Sequence, residues 1–467
     1  MRLAWFTPWP PQPSGIAGRS AELVPRLAAL GHGVDVFVDE RAVPTARAGE
    51  DSPSPGSIRV QGAHDFVWRQ GRGQYDLSVY QVGNSSLHEF IWPYLFRWPG
   101  LSLLHDARLH HARGRALLSR GRADAYRAEF AWSHPTLDPD LAELGVTGLA
   151  GAYLYGWPMT RAVLERSRLV GVHARGAIAE LVATGTTVPI EYVALGEGRA
   201  EGWADEQRRT RRRSLGLGEE TVVFGVFGAL TAEKRVTQIL RAFAVTRERV
   251  GDVTLLLGGR VDKSLDVVTL AHDLGVGDAT YVLDTLDDAT FDDTVAAVDV
   301  CLALRWPTAL ETSGPWLRAL AAARATVIVD HAHLAHLPTL DPRSWKRHAP
   351  ERPDAAGAIA VAIDILDEDH SLRLAMQRLA TDAALRDRLG RSARRYWEAE
   401  HTVDRMVTDV DQLLRQARDT PEPTADVPAH LCPDPFDLAR TLVMPFGEEA
   451  SRWLSALPSS ASRAGED

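Results

Sequence analysis

Two cysteines, Cys301 and Cys432, are the only thiols in 467 residues. So few exclude a disulfide framework and a thiolate zinc site. Cys301 lies in the apolar run Val298 to Leu304, where a buried free thiol is the expected state. Long apolar runs are also missing. The start, Met1-Arg-Leu-Ala-Trp-Phe, is too short for a signal peptide, and the stretch Leu144 to Met159 is broken by four glycines and Pro158. The expectation is a cytoplasmic chain without a membrane span. Basic excess is absent as well: 52 Lys and Arg face 62 Asp and Glu, a formal charge of −10, so nucleic acid is not the expected partner. Neither Gly-x-x-x-x-Gly-Lys-Ser/Thr nor Gly-x-Gly-x-x-Gly after a strand occurs, which counts against ATPase and nicotinamide chemistry. No repeat of solenoid period is present.

What is there suits a globular α/β protein. Apolar residues make up 45% and charged residues 24%, enough for sizeable cores, and the length implies two or three domains. Leu3 to Thr7, a Leu23/Leu27/Leu30 stripe stopped by Gly31, and Val34 to Val38 read as strand, helix, strand. Pro25 falls inside that helix and predicts a kink or a late start. Further strands are expected at Leu77 to Val82, Leu101 to Leu104, Leu169 to Val172 and Tyr192 to Leu195, with a capping box at Ser86 and Glu89. A polar, arginine-rich stretch from Gly196 to Gly218 marks a domain boundary. Beyond it a second series follows: Val222 to Phe227, Thr254 to Leu257, Thr280 to Leu283, Val298 to Leu304 and Thr326 to Val329, separated by helical segments. Such alternation predicts parallel sheets covered on both faces, and two of them place the carboxyl ends of their strands at a ligand cleft. Asp367 to Ala417 reads as two or three helices with Thr402 as a cap, and a linker and the segment Phe436 to Leu457 follow.

The residues with most chemistry follow the strand Val298 to Leu304: Arg305, Glu311, then Thr312-Ser313-Gly314 opening an apolar helix. A helix start offers amide donors to phosphate, and Glu311 is left to receive hydroxyl groups. The alternatives are an ordinary N-cap for Thr312 and Ser313 and a mutual salt bridge for Arg305 and Glu311. A second motif runs from Gly228 to Lys234 and Arg235, where small residues permit close backbone approach and the lysine can reach a phosphate as a point charge. In the first half, Ser14-Gly15-Ile-Ala-Gly18 follows the first strand and His105-Asp106 ends the Leu101 to Leu104 strand. His110 and His111, and separately His331, His333 and His336, match no metal-site spacing, so no metal is expected. His105 is read as a substrate hydrogen-bonding group and the His331 group as a solvated loop. The aromatic segments Phe90 to Trp98 and Ala125 to Pro158 suit either an acceptor groove or a core, and the arginines from Arg108 to Arg127 suit either anionic lipid or a solvated face.

These residues resemble the retaining nucleotide-sugar glycosyltransferases of family 4, which have the GT-B fold. The resemblance covers the chain to about Arg418. It rests on Ser14-Gly15-Ile-Ala-Gly18, Tyr80-Gln-Val-Gly-Asn84, His105-Asp106, Val172-His173, Gly228 to Lys234, and above all Leu304-Arg-x-Pro-Thr-x-x-Glu311-Thr-Ser-Gly314, with the helical stretch Leu379 to Leu414, including Leu389 to Tyr396, similar to that family's C-terminal helices. It implies an α/β fold of two doubly wound Rossmann-like domains facing a central cleft, with C-terminal helices bracing the first domain. The implied limits are 1–200 for the acceptor side, 201–385 for the donor side, 386–418 for the crossing-back helices and 419–467 for linker and tail. It implies sugar transfer from a nucleotide diphosphate sugar, UDP- or GDP-linked, to a glycan, lipid-linked or small-molecule acceptor, with no cofactor or metal required. Lys234 would neutralise the diphosphate, Glu311 hold donor-sugar hydroxyls, and His105 lie near the reacting carbon. Gly15, Gly18, Asn84, Asp106, His173, Gly228, Arg235, Arg305, Thr312, Ser313 and Gly314 would complete the substrate site. Two departures stand out. Ala319 replaces the family's second glutamate, and Ala229 replaces a common arginine, for which Arg235 or Arg305 is the candidate substitute. A catalytically silent GT-B binding protein and a nucleotide-sugar epimerase are the alternatives, and peripheral contact with the inner membrane face is a further expectation.

Overall fold

The computed structural model describes residues 1–43, 54–199, 205–284, 286–348, 357–425 and 427–432, together with Arg452. The chain forms two compact units. The first holds Met1–Val193, Ala309–Glu311 and the described residues from Val407 onward; the second holds Ala194–Thr308 and Thr312–Met406. The predicted segment Phe436 to Leu457 lies outside the described residues, Arg452 apart.

The first unit is built on seven parallel strands: β1 (Arg2–Phe6), β2 (Gly33–Val38), β3 (Ile58–Gly62), β4 (Leu77–Val82), β5 (Leu101–Leu104), β6 (Leu169–Val172) and β7 (Ile190–Tyr192). Their order is β3-β2-β1-β4-β5-β6-β7. The strand expected at Tyr192 to Leu195 is displaced, because its neighbour β6 ends at Val172 and Tyr192 is the last residue in register with it. One face carries an aromatic layer in which Phe6 packs on Phe37, Tyr80 and Phe66 with ring centroids 4.9 to 5.1 Å apart. The segment Phe90 to Trp98 joins that layer through Trp92, Tyr94 and Phe96, so it is largely core.

The first helix, Gly15–Ala29, begins at Gly15 and runs through Pro25, so no late start occurs. Pro25 sits on the exposed side, while Leu23, Val24 and Leu27 are buried. The expected capping box at Ser86 is not formed. Ser86–Ile91 is a 3-10 turn without a side-chain cap, and Glu89 pairs with Arg115 instead, at 3.1 Å. The Val403–Asp419 helix and the segment after it close on this unit: His32 Nε2 lies 2.7 Å from Asp411 in the helix, and Arg168 lies 2.6 Å from Glu422 beyond it.

The second unit contains β8 (Val222–Phe227), β9 (Val253–Gly258), β10 (Thr280–Leu283), β11 (Val300–Leu302), β12 (Ala325–Val329), β13 (Thr339–Leu340), β14 (Arg347–His348) and β15 (Ala360–Ile363). The order is β10-β9-β8-β11-β12-β15-β13-β14, parallel except for the β13–β14 pair. Strand β8 shows why both faces are apolar. Phe224 and Val226 enter one cluster with the Val236–Val250 and Glu368–Thr381 helices, while Val223 and Phe227 enter another with Val295 and Ala319. Cys301 is buried in the second cluster, and burial pushes its thiol up to about 12. Of the predicted C-terminal helices, Glu368–Thr381 and Ala383–Glu400 lie in this unit, and Thr402 caps the next by accepting from the Arg405 amide at 3.2 Å. Among the described residues no helix is long and apolar enough to cross a membrane.

Candidate active site

Open parallel sheets bind ligands where the strand order reverses, at the carboxyl ends of the strands. In the first unit that point is β1/β4, in the second β8/β11. Most of the sequence-predicted residues follow these strands, while His105 and Asp106 follow β5 and His173 follows β6. Gly15 and Gly18 come after β1, Asn84 after β4, Gly228 to Arg235 after β8, and Arg305 to Gly314 after β11.

In the first unit Ser14 caps the Gly15–Ala29 helix, its Oγ accepting from Ile16 N at 3.2 Å. A Cβ added at Gly15 would meet nothing within 4 Å, so the helix start is open. Gly18 lies in its first turn, its amide bonded to Ser14 O at 3.2 Å. The loop after β4 approaches closely: a Cβ at Gly83 would stand 2.9 Å from Ile16 Cδ1. The Asn84 side chain is held by this unit, its Oδ1 accepting from Ala112 N at 2.9 Å and its Nδ2 lying 3.2 Å from His111 Nδ1. Asp106 accepts from Asn84 N at 2.7 Å, which joins the loops after β4 and β5.

His105 is buried and its ring is held at both nitrogens. Gln81 Oε1 accepts from Nε2, which fixes the proton there and leaves Nδ1 to accept from Arg19, 3.3 Å away. His173 lies against it with ring centroids 4.7 Å apart and is itself bonded through Nδ1 to Val193 O at 3.1 Å. Burial, then the neighbouring His173 and Arg19, push the His105 imidazolium well below its ordinary range. His105 is therefore a neutral, oriented group. Arg19 and Gln81 were not singled out in the sequence; Arg19 directly follows Gly18, and Gln81 lies within the quoted Tyr80-Gln-Val-Gly-Asn84 motif.

The peptide Ala309–Glu311 belongs to this unit, with Ala309 O accepting from the amides of Ala107 at 2.9 Å and Arg108 at 3.1 Å. Glu311 Oε2 accepts from Ala309 N at 2.8 Å. Leu310 between them is left-handed, with φ 59°, and its buried side chain anchors the turn that aims Glu311.

In the second unit three elements converge at Gly228. Its φ is +89°, and an added Cβ would stand 2.8 Å from Lys234 Nζ and 3.3 Å from Pro315 Cγ. Only a glycine lets the end of β8, the lysine and the start of the Gly314–Ala321 helix come so close. Lys234 is buried and donates to Phe227 O at the last residue of β8. Ser313 is the N-cap, its Oγ taking the Trp316 amide at 3.4 Å. Pro315 has no N–H, so Gly314 supplies the amide at the helix mouth. The loops after β8 and β11 are tied by Trp306 N donating to Glu233 O at 2.7 Å.

Other residues take different places. Arg235 is left-handed, with φ 59°, and grips Glu368 bidentately, one bond being 2.7 Å, so its charge is already matched. Arg305 is half-buried and its carbonyl accepts from His331 Nε2 at 2.8 Å. The His331 group is not the expected solvated loop. Trp306, His331 and His333 stack in series with centroids 5.8 and 5.2 Å apart, and His333 is buried. Ala319 is fully buried beside Val223 and Phe227, where a carboxylate would lack solvent. Of the six arginines from Arg108 to Arg127, four are paired with this unit's own carboxylates, leaving Arg120 and Arg122 exposed.

No protein-family model matches the chain, and no curated protein matches it. Solved structures do. Sucrose-phosphate synthase from Thermosynechococcus elongatus aligns with a TM-score of 0.61 at 16% identity, over 89% of this chain and 98% of its own. Anabaena Alr3699/HepE in complex with UDP gives 0.57 at 12% identity, over 89% and 100%. WaaG, a glycosyltransferase involved in lipopolysaccharide biosynthesis, gives 0.55 at 15% identity, over 89% and 99%. At such identities the likeness is one of fold: the chain has the α/β architecture of GT-B glycosyltransferases, two doubly wound parallel-sheet domains.

Proposed function

We propose that this chain is a family 4 glycosyltransferase that moves a sugar from a UDP- or GDP-sugar to a glycan, lipid-linked or small-molecule acceptor, with retention of configuration. The observation that carries the reading is the convergence of Gly228, buried Lys234 and the mouth of the Gly314–Ala321 helix at the β8/β11 switch point. An ammonium and an amide meeting at a helix start suit a diphosphate. As the bond from the sugar carbon to the diphosphate oxygen breaks, its electrons pass to the leaving group, and these donors receive the growing negative charge. Lys234 leaves Phe227 O to do so, without a metal. Glu311 holds donor-sugar hydroxyls, and His105 acts as a neutral hydrogen-bonding group rather than a proton shuttle. In the first unit a recess of about 170 Å³, lined by His111, Gly114, Tyr126, Gly145 and Gly148, is the acceptor-side candidate. A catalytically silent binding role is the second reading, favoured by buried Ala319 and by the matched charge of Arg235.

A thermal-shift and calorimetric screen against UDP, GDP, ADP and their sugar conjugates, with and without magnesium, separates the two. Stabilisation by one nucleotide, independent of magnesium and lost in a folded Lys234→Ala protein, is the expected result. A folded protein that no nucleotide stabilises refutes the transferase reading and leaves the binding role. Donor conversion without any acceptor identifies an epimerase instead.

A further inference from the structure

We infer that the second unit carries an anion site, separate from the nucleotide site proposed above, that takes a small phosphate-bearing molecule whose organic part packs on an indole. A concavity of about 610 Å³, within the range of small-molecule sites, is lined by Arg347, Arg378, Arg388, Arg391, Arg395 and Trp345. No acidic residue stands among the described residues lining it, in a chain whose formal charge is −10.

The convergence follows from the fold. Arg388, Arg391 and Arg395 recur at helical spacing along Ala383–Glu400 and share one face. Arg378 comes from the preceding helix Glu368–Thr381 and Arg347 from the edge strand β14. Arg378 is held by Asp382 at 2.9 Å and lies 5.7 Å from the Trp345 ring centroid. Arg388, Arg391 and Arg395 have no ion pair among the described residues. Like charges on successive turns repel, and an anion between them removes the repulsion. The guanidinium fork matches phosphate oxygens two at a time. Trp345 is held in the left-handed region, φ 55°, with its amide bonded to Asp341 O at 2.7 Å. A bulky residue so constrained marks a place where the surrounding structure dictates position.

The cavity is also on a different edge of the sheet from the nucleotide site. Gly357 and Ala358 in its wall lead into the amino end of β15, whereas the loops carrying Lys234 and Gly314 leave the carboxyl ends of β8 and β11, which run parallel to it through β12. Gly357 is left-handed, φ +43°, and an added Cβ would stand 2.6 Å from Ser392 Oγ, so the wall closes directly on the arginine helix.

The test is calorimetric titration of the intact protein with phenyl phosphate and, separately, with inorganic phosphate at low ionic strength. Saturable phenyl phosphate binding is expected, weakened about tenfold or more by Arg391→Glu/Arg395→Glu and unchanged in Lys234→Ala. Arg391→Gln, a neutral change at an exposed position whose fold is checked by circular dichroism, gives the same direction of effect. No saturable binding overturns the site. Binding lost in Lys234→Ala but kept in the arginine variants returns the anion to the nucleotide site and overturns it equally. Inorganic phosphate binding as tightly as phenyl phosphate overturns the role of the indole wall.

Discussion

Gly228→Ala tests the convergence in the second unit most directly. The added Cβ enters at φ +89° and lands 2.8 Å from Lys234 Nζ. A non-glycine residue in that region is strained by about 1–3 kcal/mol. For a unit of roughly 200 residues each kcal/mol moves the melting point by about 2–4 °C, so a fall of about 4–8 °C follows from a mid-range strain of about 2 kcal/mol. Binding changes by a separate route. Lys234 is the flexible partner and Pro315 the rigid one, so the methyl displaces the ammonium from the mouth of the Gly314–Ala321 helix. A charge-assisted hydrogen bond is worth about 1.5–3 kcal/mol, which predicts a loss of about 10- to 100-fold in nucleotide diphosphate affinity. Scanning calorimetry gives the first number and titration with UDP or GDP the second. A variant that melts within about 1 °C of the parent and binds the nucleotide unchanged would show that the approach at Gly228 is incidental, against the strain argument.

Three further outcomes concern the first unit. Arg113 and Glu129 form a buried pair, and Glu129→Ala leaves the guanidinium uncompensated beside Trp92 and Phe96. A loss of about 3–5 kcal/mol in urea unfolding is expected, and a loss under about 1 kcal/mol refutes the burial argument. Burial alone would raise the Glu129 carboxyl, but Arg113 and then His430 hold it down to about 2. Its contribution is therefore complete above the usual carboxyl range and disappears as pH falls towards about 2, so Glu129→Gln flattens the acid limb of the melting curve. Burial lowers His88, His110 and His134 to about 4 and holds His105 well below the ordinary imidazole range. The unfolded chain binds these protons first, so stability falls as pH drops below about 6.5, and unfolding should take up protons at pH 5.5 in buffers of different ionisation heat.

Most of the sheet strands were legible because each is a short apolar run between turn signals, and the central ones are buried on both faces while β7 and β10 are partly exposed. Strand β3 escaped because Ile58–Gly62 is an edge strand with only Gln61 and Gly62 buried, so its pattern is weak. Strand β15 is four residues long and draws its identity from β12 and β13, which are distant in sequence. The site showed the same division. Glycines, Lys234, Glu311 and the helix cap are local signals, and they follow the switch-point strands as motif reading expects. Partner choice is not local. Glu89 pairs across to Arg115 rather than capping its own turn, Arg235 reaches Glu368, and His105 takes Gln81 from strand β4 and Arg19 from the first helix. None of these pairings leaves a periodicity to read.

The two thiols described above differ enough to make the chain addressable at one point. Cys301 is sealed in the core with its thiol pushed up to about 12, so it offers almost no thiolate to an electrophile near neutral pH. Cys432 is exposed, and it follows Leu431 and Val427, whose side chains are buried in the aromatic core of the first unit. A maleimide fluorophore will therefore attach at Cys432 in the unmodified protein. Its anisotropy will report how firmly the segment 427–432 is seated while nucleotide, anion or acid is titrated, with no cysteine-free background to engineer.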